Sequence, residues 1–465
     1  MMPEAVEAFL ESTYEAYLGE VGEEFGKTIP GIFTDEPNIT SWETAGMVVP
    51  WTDNLPQYFK DKNGYDLLAC LPSLFYPVNN YHRIRYDFWN TLTDLFLKTY
   101  TEKLYHWCQA HRLKYTGHYL CEDNLRIQTR FIGAAMPHYE YMHVPGVDHL
   151  SRNIVDLITI KQVASVAHQL GKERVLSETY GCGGWALSLE DQKWIGDWEY
   201  VLGINLLNPH LSLYSMKGCR KRDFPPSLYY QQPWWEDYHL LNDYFGRLSY
   251  MLTRGKFWAV YQPLDNREVD RWNAHFVALC ETLCRIHRDY DLGDEKLLEK
   301  YGRVNNNQLV LGEMPYQLII LPPGLTLRKT TFKLLREFKQ KGGKIIALKP
   351  LPIMLEGEES KELKDFLWSD GIQRLEPLVT ELWDGGFLHS EKNSQALKET
   401  LDNILPSEIS IQDDVEQEIE AIYYQHRREG NKHIYFLANT DPQKYFRVCL
   451  RLPVRGSLQC WDPLT

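Results

Sequence analysis

Through the first 255 residues, stretches with helical spacing of apolar side chains alternate with short β-rich runs. Val6, Phe9, Leu10, Tyr14 and Tyr17 predict a helix over residues 3–18, and a strand follows at 29–34 that ends in Asp35-Glu36-Pro37. A long helix is expected at 84–111, then a strand at 114–120 ending in Cys121-Glu122-Asp123. Residues 137–143 read as a further strand, with Val144-Pro145-Gly146-Val147-Asp148 as its loop. A helix at 154–170 stopped by Gly171, a strand at 174–177 ending in Glu178, a helix at 191–202 and a strand at 203–214 complete the series.

Repeated β-then-α units with polar residues just past the strand ends are the layout of a (β/α)8 TIM-type barrel. Five units are found where such a barrel needs eight, and the chain opens on a helix. An open doubly wound sheet and a barrel lacking its first units both fit this count. The recurring strand-end carboxylates favour the barrel, with about three N-terminal units missing.

From residue 257 the texture changes. Trp258-Ala259-Val260-Tyr261 reads as a strand, 273–287 as a helix, 308–311 and 317–321 as strands, 327–341 as an amphipathic helix, and 344–348 as a strand. Continuous apolar runs alternating with helices predict a small parallel sheet of flavodoxin-like type. Residues 351–416 are charged and helical or linking in character, and antiparallel strands are expected at 421–424, 433–437 and 446–452, with one more strand and turn at 458–463. The predicted organisation is therefore a partial barrel at 1–256, an α/β domain at 257–415 and the start of a β-sandwich at 416–465.

Composition narrows the function. A formal charge of −13 with few basic clusters argues against a nucleic-acid partner, and no apolar run approaches the length of a membrane span. Neither GxGxxG nor a phosphate loop occurs, which disfavours a nucleotide cofactor. The 14 Trp and 29 Tyr concentrate before residue 260, and flat aromatic faces stack on the apolar face of a sugar ring as readily as they fill cores. Nine cysteines without a regular framework, and no charged-then-apolar leader at Met1-Met2-Pro3-Glu4, favour a cytoplasmic setting. Both ends of the chain read as cut, which leaves localisation open. No feature fixes an oligomeric state.

Two strand-end acids stand out as candidate catalytic residues. Glu36 leaves its strand beside Asp35, and Glu178 leaves its own before the glycine-rich turn Gly181-Cys182-Gly183-Gly184. Glycosidic cleavage needs one carboxylic acid to protonate the leaving oxygen and a second carboxylate to attack the sugar or activate a water. Glu122, next to His118, is a third acid that could replace one of the pair, bind sugar hydroxyls or serve as a helix N-terminal charge. Asp35, His118, His210 and Tyr214 are candidate substrate contacts, the last two sharing a strand face at i and i+4. Trp234 beside Trp235 forms either a sugar platform or rim packing. His138 and His143 alternate to opposite faces of the expected strand at 137–143, so no metal-binding cluster is read. Ser177 lacks a GxSxG context, which disfavours a serine nucleophile.

Gly31-Ile32-Phe33-Thr34-Asp35-Glu36-Pro37, Leu176-Ser177-Glu178-Thr179-Tyr180-Gly181, and Gly196-Asp197-Trp198 with Gly203-Ile204-Asn205 and His210 resemble family 106 glycoside hydrolases. Arg222-Asp223-Phe224-Pro225-Pro226-Ser227, Gln232-Pro233-Trp234-Trp235 and Tyr244-Phe245-Gly246-Arg247-Leu248-Ser249 extend the likeness over roughly residues 1–350. These are α-L-rhamnosidase-like barrel enzymes followed by an amidotransferase-like module, which residues 318–323 and 335–343 resemble. The resemblance implies a carbohydrate substrate, Glu36 after the fourth barrel strand and Glu178 after the seventh as acid and base or nucleophile, an inverting outcome, and calcium near the sugar. It also implies that the first three barrel units and most of a C-terminal β-domain are missing here. A non-catalytic carbohydrate-binding protein or an inactive fragment is the alternative expectation.

Overall fold

A computed structural model describes residues 1–40, 48–222, 224, 228–253, 268–382 and 386–464. The strand expected at Trp258-Ala259-Val260-Tyr261, the boundary at 256/257, and Asp223, Pro225, Pro226 and Ser227 of one motif lie outside the described residues.

Five strands, β1 (Gly31–Thr34), β2 (Lys114–Gly117), β3 (Val144–His149), β4 (Leu176–Thr179) and β5 (Leu206–Pro209), form one sheet in sequential order. Every pair is parallel, with Thr34 opposite Gly117, Asp148 opposite Glu178, and Glu178 opposite Asn208. An open doubly wound sheet reverses its strand order at a switch point. This sheet never reverses, so it is a curled half-barrel, with connecting helices such as Leu157–Gln169 and Leu189–Leu202 packed behind it.

Two expected elements of the half-barrel differ. Residues 137–143 do not form a strand: Met136–Glu140 is a short helix with Pro137 in its first turn, where a missing N–H is harmless. The strand is instead Val144–His149, so Asp148 becomes a strand-end residue. The run at 203–214 contributes only Leu206–Pro209 to the sheet, and the chain beyond Pro209 is irregular.

Close approach of the backbones is built in at Gly117. Its φ of +134° lies where side-chain-bearing residues are rarely found, and an added Cβ would sit 2.0 Å from the Thr34 carbonyl oxygen.

Beyond the half-barrel, Leu318–Leu321, Lys344–Leu348 and Ile372–Leu375 make a three-stranded parallel sheet, with helix Lys329–Gln340 connecting the first two. The charged stretch at 351–416 contains helices Lys361–Trp368 and Glu391–Ile404. One apolar core runs from Tyr115, Val147 and Trp198 of the half-barrel and its helices to Ile319 and Ile345 of the second sheet and Leu363 of helix Lys361–Trp368.

Near the C-terminus, Ile422–Glu429 and Lys432–Asn439 form a hairpin, while Cys449–Arg451 pairs with Ser410–Gln412. The expected last strand at 458–463 does not form. The hairpin lies against helix Leu189–Leu202, where the Trp194 indole N–H donates to the Thr440 carbonyl at 3.1 Å. No helix among the described residues is long and apolar enough to cross a membrane.

Candidate active site

The C-terminal ends of β1 to β5 converge on His118, whose side chain is 1% exposed. It follows β2 directly, and its backbone N–H donates to the Thr34 carbonyl, extending the β1–β2 ladder by one rung. Nε2 donates to Asp35 Oδ1 at 3.0 Å and lies 4.0 Å from Asp148 Oδ2, while Nδ1 lies 3.5 Å from Glu178 Oε2. Burial alone would depress this imidazole. The bond to Asp35 and the fields of Asp148, Glu122 and Glu178 outweigh it and raise the pKa to about 9. A buried imidazolium thus sits inside a ring of acids.

Those acids are not equivalent. Asp35 is largely exposed, and its bond to His118 holds its carboxyl below the usual range. Glu36 is half-buried, and burial, partly offset by His118, raises its carboxyl. Glu178 is 7% exposed, and burial with the negative charges of Asp35 and Glu36 raises it against the pull of His118. Its Oε1 lies 3.6 Å from His210 Nε2. Asp148 is pushed up to about 7 by burial and by the neighbouring carboxylates, and its Oδ1 is buried without a hydrogen-bond partner. Raised carboxyl groups are what a group that must give up a proton near neutrality requires.

The strand exits are conformationally strained. Glu36, Cys121, Tyr180 and Cys182 all have positive φ, between 47° and 79°. A left-handed backbone at a non-glycine residue costs about 1–3 kcal/mol and persists where the surroundings over-determine it. Tyr180 is anchored by its hydroxyl, which donates to the Gln192 carbonyl at 2.9 Å.

The residues named from sequence divide into three groups. Glu36, Glu178, Asp35, His118 and His210 come together. Glu122 is drawn behind them: it is 3% exposed, accepts the Tyr139 hydroxyl at 2.6 Å and the Tyr119 and Asp148 backbone N–H groups at 3.0 and 3.4 Å, and is raised by burial to about 8. It holds strand ends rather than facing the hollow. Tyr214 and Trp234 lie elsewhere. The strand ends at Pro209, so Tyr214 shares no strand face with His210, and its side chain is fully exposed. Trp234 packs against Tyr238 and the cluster of Tyr180, Leu187, Ile195 and Leu228, which is rim packing.

Asp148 and Asn208 escaped the sequence reading. Register puts both on the face of the sheet that carries Glu178. Asp148 also completes a group with Glu36 and His118 whose ligand atoms lie within 4.8 Å of one another, a spacing that could hold a metal ion. His138 and His143 take no part: His138 Nδ1 pairs with the Thr101 hydroxyl at 2.7 Å, and His143 Nδ1 accepts the Tyr115 N–H at 3.0 Å.

The sequence model of glycoside hydrolase family 106, alpha-L-rhamnosidase, matches residues 1–465. The chain belongs to that family. The match extends beyond residue 350, where the motif resemblance stops, and takes in the second sheet and the hairpin. None of the curated proteins matches the chain.

Among solved structures, a rhamnosidase from Novosphingobium sp. PP1Y superposes with a TM-score of 0.70 at 20% identity, over 94% of this chain and 42% of that one. The chain therefore spans less than half the length of the Novosphingobium protein. A catalytic mutant of a GH42 β-galactosidase from G. stearothermophilus gives 0.55 at 11% identity, over 83% of this chain and 70% of that one. An exo-carrageenase of GH42 from Bacteroides ovatus gives 0.57 at 10% identity, over 89% and 60%. At these identities the likeness concerns the fold, and it agrees with a barrel-type sheet in this member of the α-L-rhamnosidase family.

Proposed function

We propose that this chain carries the acid–base centre of a glycoside hydrolase that removes a terminal α-L-rhamnoside, with Glu36 as general acid and Glu178 as general base. One observation carries the reading: in a chain matched by the α-L-rhamnosidase family over residues 1–465, acids from β1, β3 and β4 surround a single buried imidazole. Burial keeps the Glu36 carboxyl protonated to higher pH, as an acid that protonates a leaving oxygen must be. Glu178, flanked by His118 and His210, is the carboxylate that draws a proton from water. In an inverting enzyme the two carboxyl groups stand about 6.5–9.5 Å apart to admit that water.

Calcium near the sugar fits the donor set. The ion takes six to eight oxygen ligands, chiefly carboxylates. Asp35 and Asp148 offer such oxygens beside the catalytic pair, and Asp148 Oδ1 is buried with no hydrogen-bond partner. These residues would hold the ion, which when bound supplies Lewis acidity and orients sugar hydroxyls. His118 stays outside an all-oxygen shell and steadies Asp35 through its hydrogen bond.

The test uses 4-nitrophenyl α-L-rhamnopyranoside with Glu36→Gln and Glu178→Gln made separately. Each variant should lose turnover by about 10²–10⁴-fold while calorimetry still registers rhamnose binding. The anomer released, followed by NMR, reads out inversion. Binding without turnover by the unaltered chain would favour a carbohydrate-binding protein and defeat the proposal.

A further inference from the structure

Behind the acids lies a carboxylate with no access to the hollow. Glu199, 0% exposed in the middle of helix Leu189–Leu202, accepts the Ser177 hydroxyl at 2.7 Å on Oε1 and the Thr179 hydroxyl at 3.2 Å on Oε2. Ser177 and Thr179 immediately flank Glu178, and strand alternation turns them to the outer face while Glu178 faces inward. Oε1 also lies 3.5 Å from His149 Nδ1, and His149 is the residue after Asp148 on β3. One side chain therefore reaches the outer-face neighbours of both Asp148 and Glu178, which are themselves opposite each other in register.

In a stretch of helix where Trp198, Tyr200, Val201 and Leu202 are buried as well, the position would ordinarily take an apolar residue. Burying a carboxyl there is costly unless it is fully hydrogen-bonded, and an apolar replacement of similar volume is often as stable. Stability alone does not account for Glu199. Its fork fixes the roll of β4 about its own axis, and that roll decides whether the Glu178 carboxylate meets His118 and His210 or swings away.

We propose that Glu199 is a positioning residue, which acts through Ser177, Thr179 and His149 to hold Glu178 and Asp148 at one level of the hollow. This rests on the proposed role of Glu178, so the unaltered chain and Glu178→Gln are assayed first. No turnover, or an unaffected Glu178→Gln, defeats that role and leaves Glu199 nothing to position. With turnover present and lost in Glu178→Gln, Glu199→Leu and Glu199→Gln are compared on the same substrate.

Glu199→Leu should lower kcat by about 30–100-fold, the scale of an ångström-sized misplacement of a reacting group, with KM within about twofold. It should also shift the acid-side limb of the kcat/KM pH profile, which the general base Glu178 sets and which is lost in Glu178→Gln. Glu199→Gln, which keeps the shape and an acceptor, should recover most of the loss. Should Glu199→Leu not fold, Ser177→Ala, which removes only the 2.7 Å arm, should still give a drop of about 5-fold and the same limb shift. Unchanged kcat and pH profile in either variant would overturn the proposal.

Discussion

His118 Nδ1 faces Glu178 Oε2 across 3.5 Å, both side chains buried, while His118 Nε2 holds Asp35 and the other oxygen of Glu178 lies 3.6 Å from His210. That pairing ties the loop after β2 to the end of β4, skipping β3, and makes the charge state of the hollow a property of the fold as well as of the chemistry.

Stability should fall as the medium turns alkaline. The folded-state pKa of His118 is raised from 6.5 to about 9, so its contribution is complete below the lower value and lost as pH climbs through the upper one. Glu122 and Asp148, raised from 4.5 to about 8 and from 3.8 to about 7, bind protons more tightly when folded, and their contributions also decline across those windows. All three act in one direction. Below about pH 6.5 the buried neutral histidines His138 and His149, lowered to about 3 and about 4, pull the other way. The test is therefore the step from about pH 7 to about pH 9: the urea midpoint should fall, and a higher midpoint at the alkaline end contradicts these assignments.

Glu122→Ala should be among the more damaging substitutions near the site. It strips acceptors from the Tyr119 and Asp148 N–H groups and from the Tyr139 hydroxyl, all of which stay buried. An orphaned buried donor costs about 1–3 kcal/mol, so equilibrium unfolding should register a loss of at least about 2 kcal/mol. Glu122→Gln, which retains an acceptor oxygen, should lose less.

Gly117→Ala should fail for a backbone reason. The new Cβ would stand 2.0 Å from the Thr34 carbonyl oxygen at a φ of +134°, so β1 and β2 must part where Asp35 and His118 leave them. The strain alone is worth about 1–3 kcal/mol. Circular dichroism melts should show a clearly lower Tm; a wild-type melt would mean that the two backbones are not packed as described.

Calcium should stabilise the unaltered chain and not Asp148→Asn. A ligand that binds only the folded state at a hundredfold excess over its Kd adds about 2.7 kcal/mol, which melting curves with and without millimolar calcium will resolve. Magnesium, which demands a tight octahedral shell, should do little. Equal responses of the two proteins would remove Asp148 from the ligand set.

Much of this site could be read in the sequence because β1, β2 and β4 are short β-prone runs that lead into, or carry near their ends, an acid or a histidine. β3 hid for an equally physical reason. Val144-Pro145-Gly146 looks like a turn, yet the chain threads all three residues into the sheet between β2 and β4. The alternating pattern just before it belongs to helix Met136–Glu140. Displacing the strand by a few residues concealed Asp148. Glu199 left no pattern at all: an acid on a helix reads as a solvated charge, and only packing reveals that every side of this helix's C-terminal half is covered. Tyr214 departs in the opposite way, since the strand that was to present it stops at Pro209, while Trp234 takes the rim packing that was one of its two readings.

The Trp194–Thr440 contact places the distal hairpin on the far side of the helix that carries Glu199. That helix is consequently a splint with two bearings, the sheet in front and the hairpin behind. A protease nick at the exposed turn around Gly430, or a bulky label there, would free the rear bearing and slacken the acids without touching the pocket in which they work.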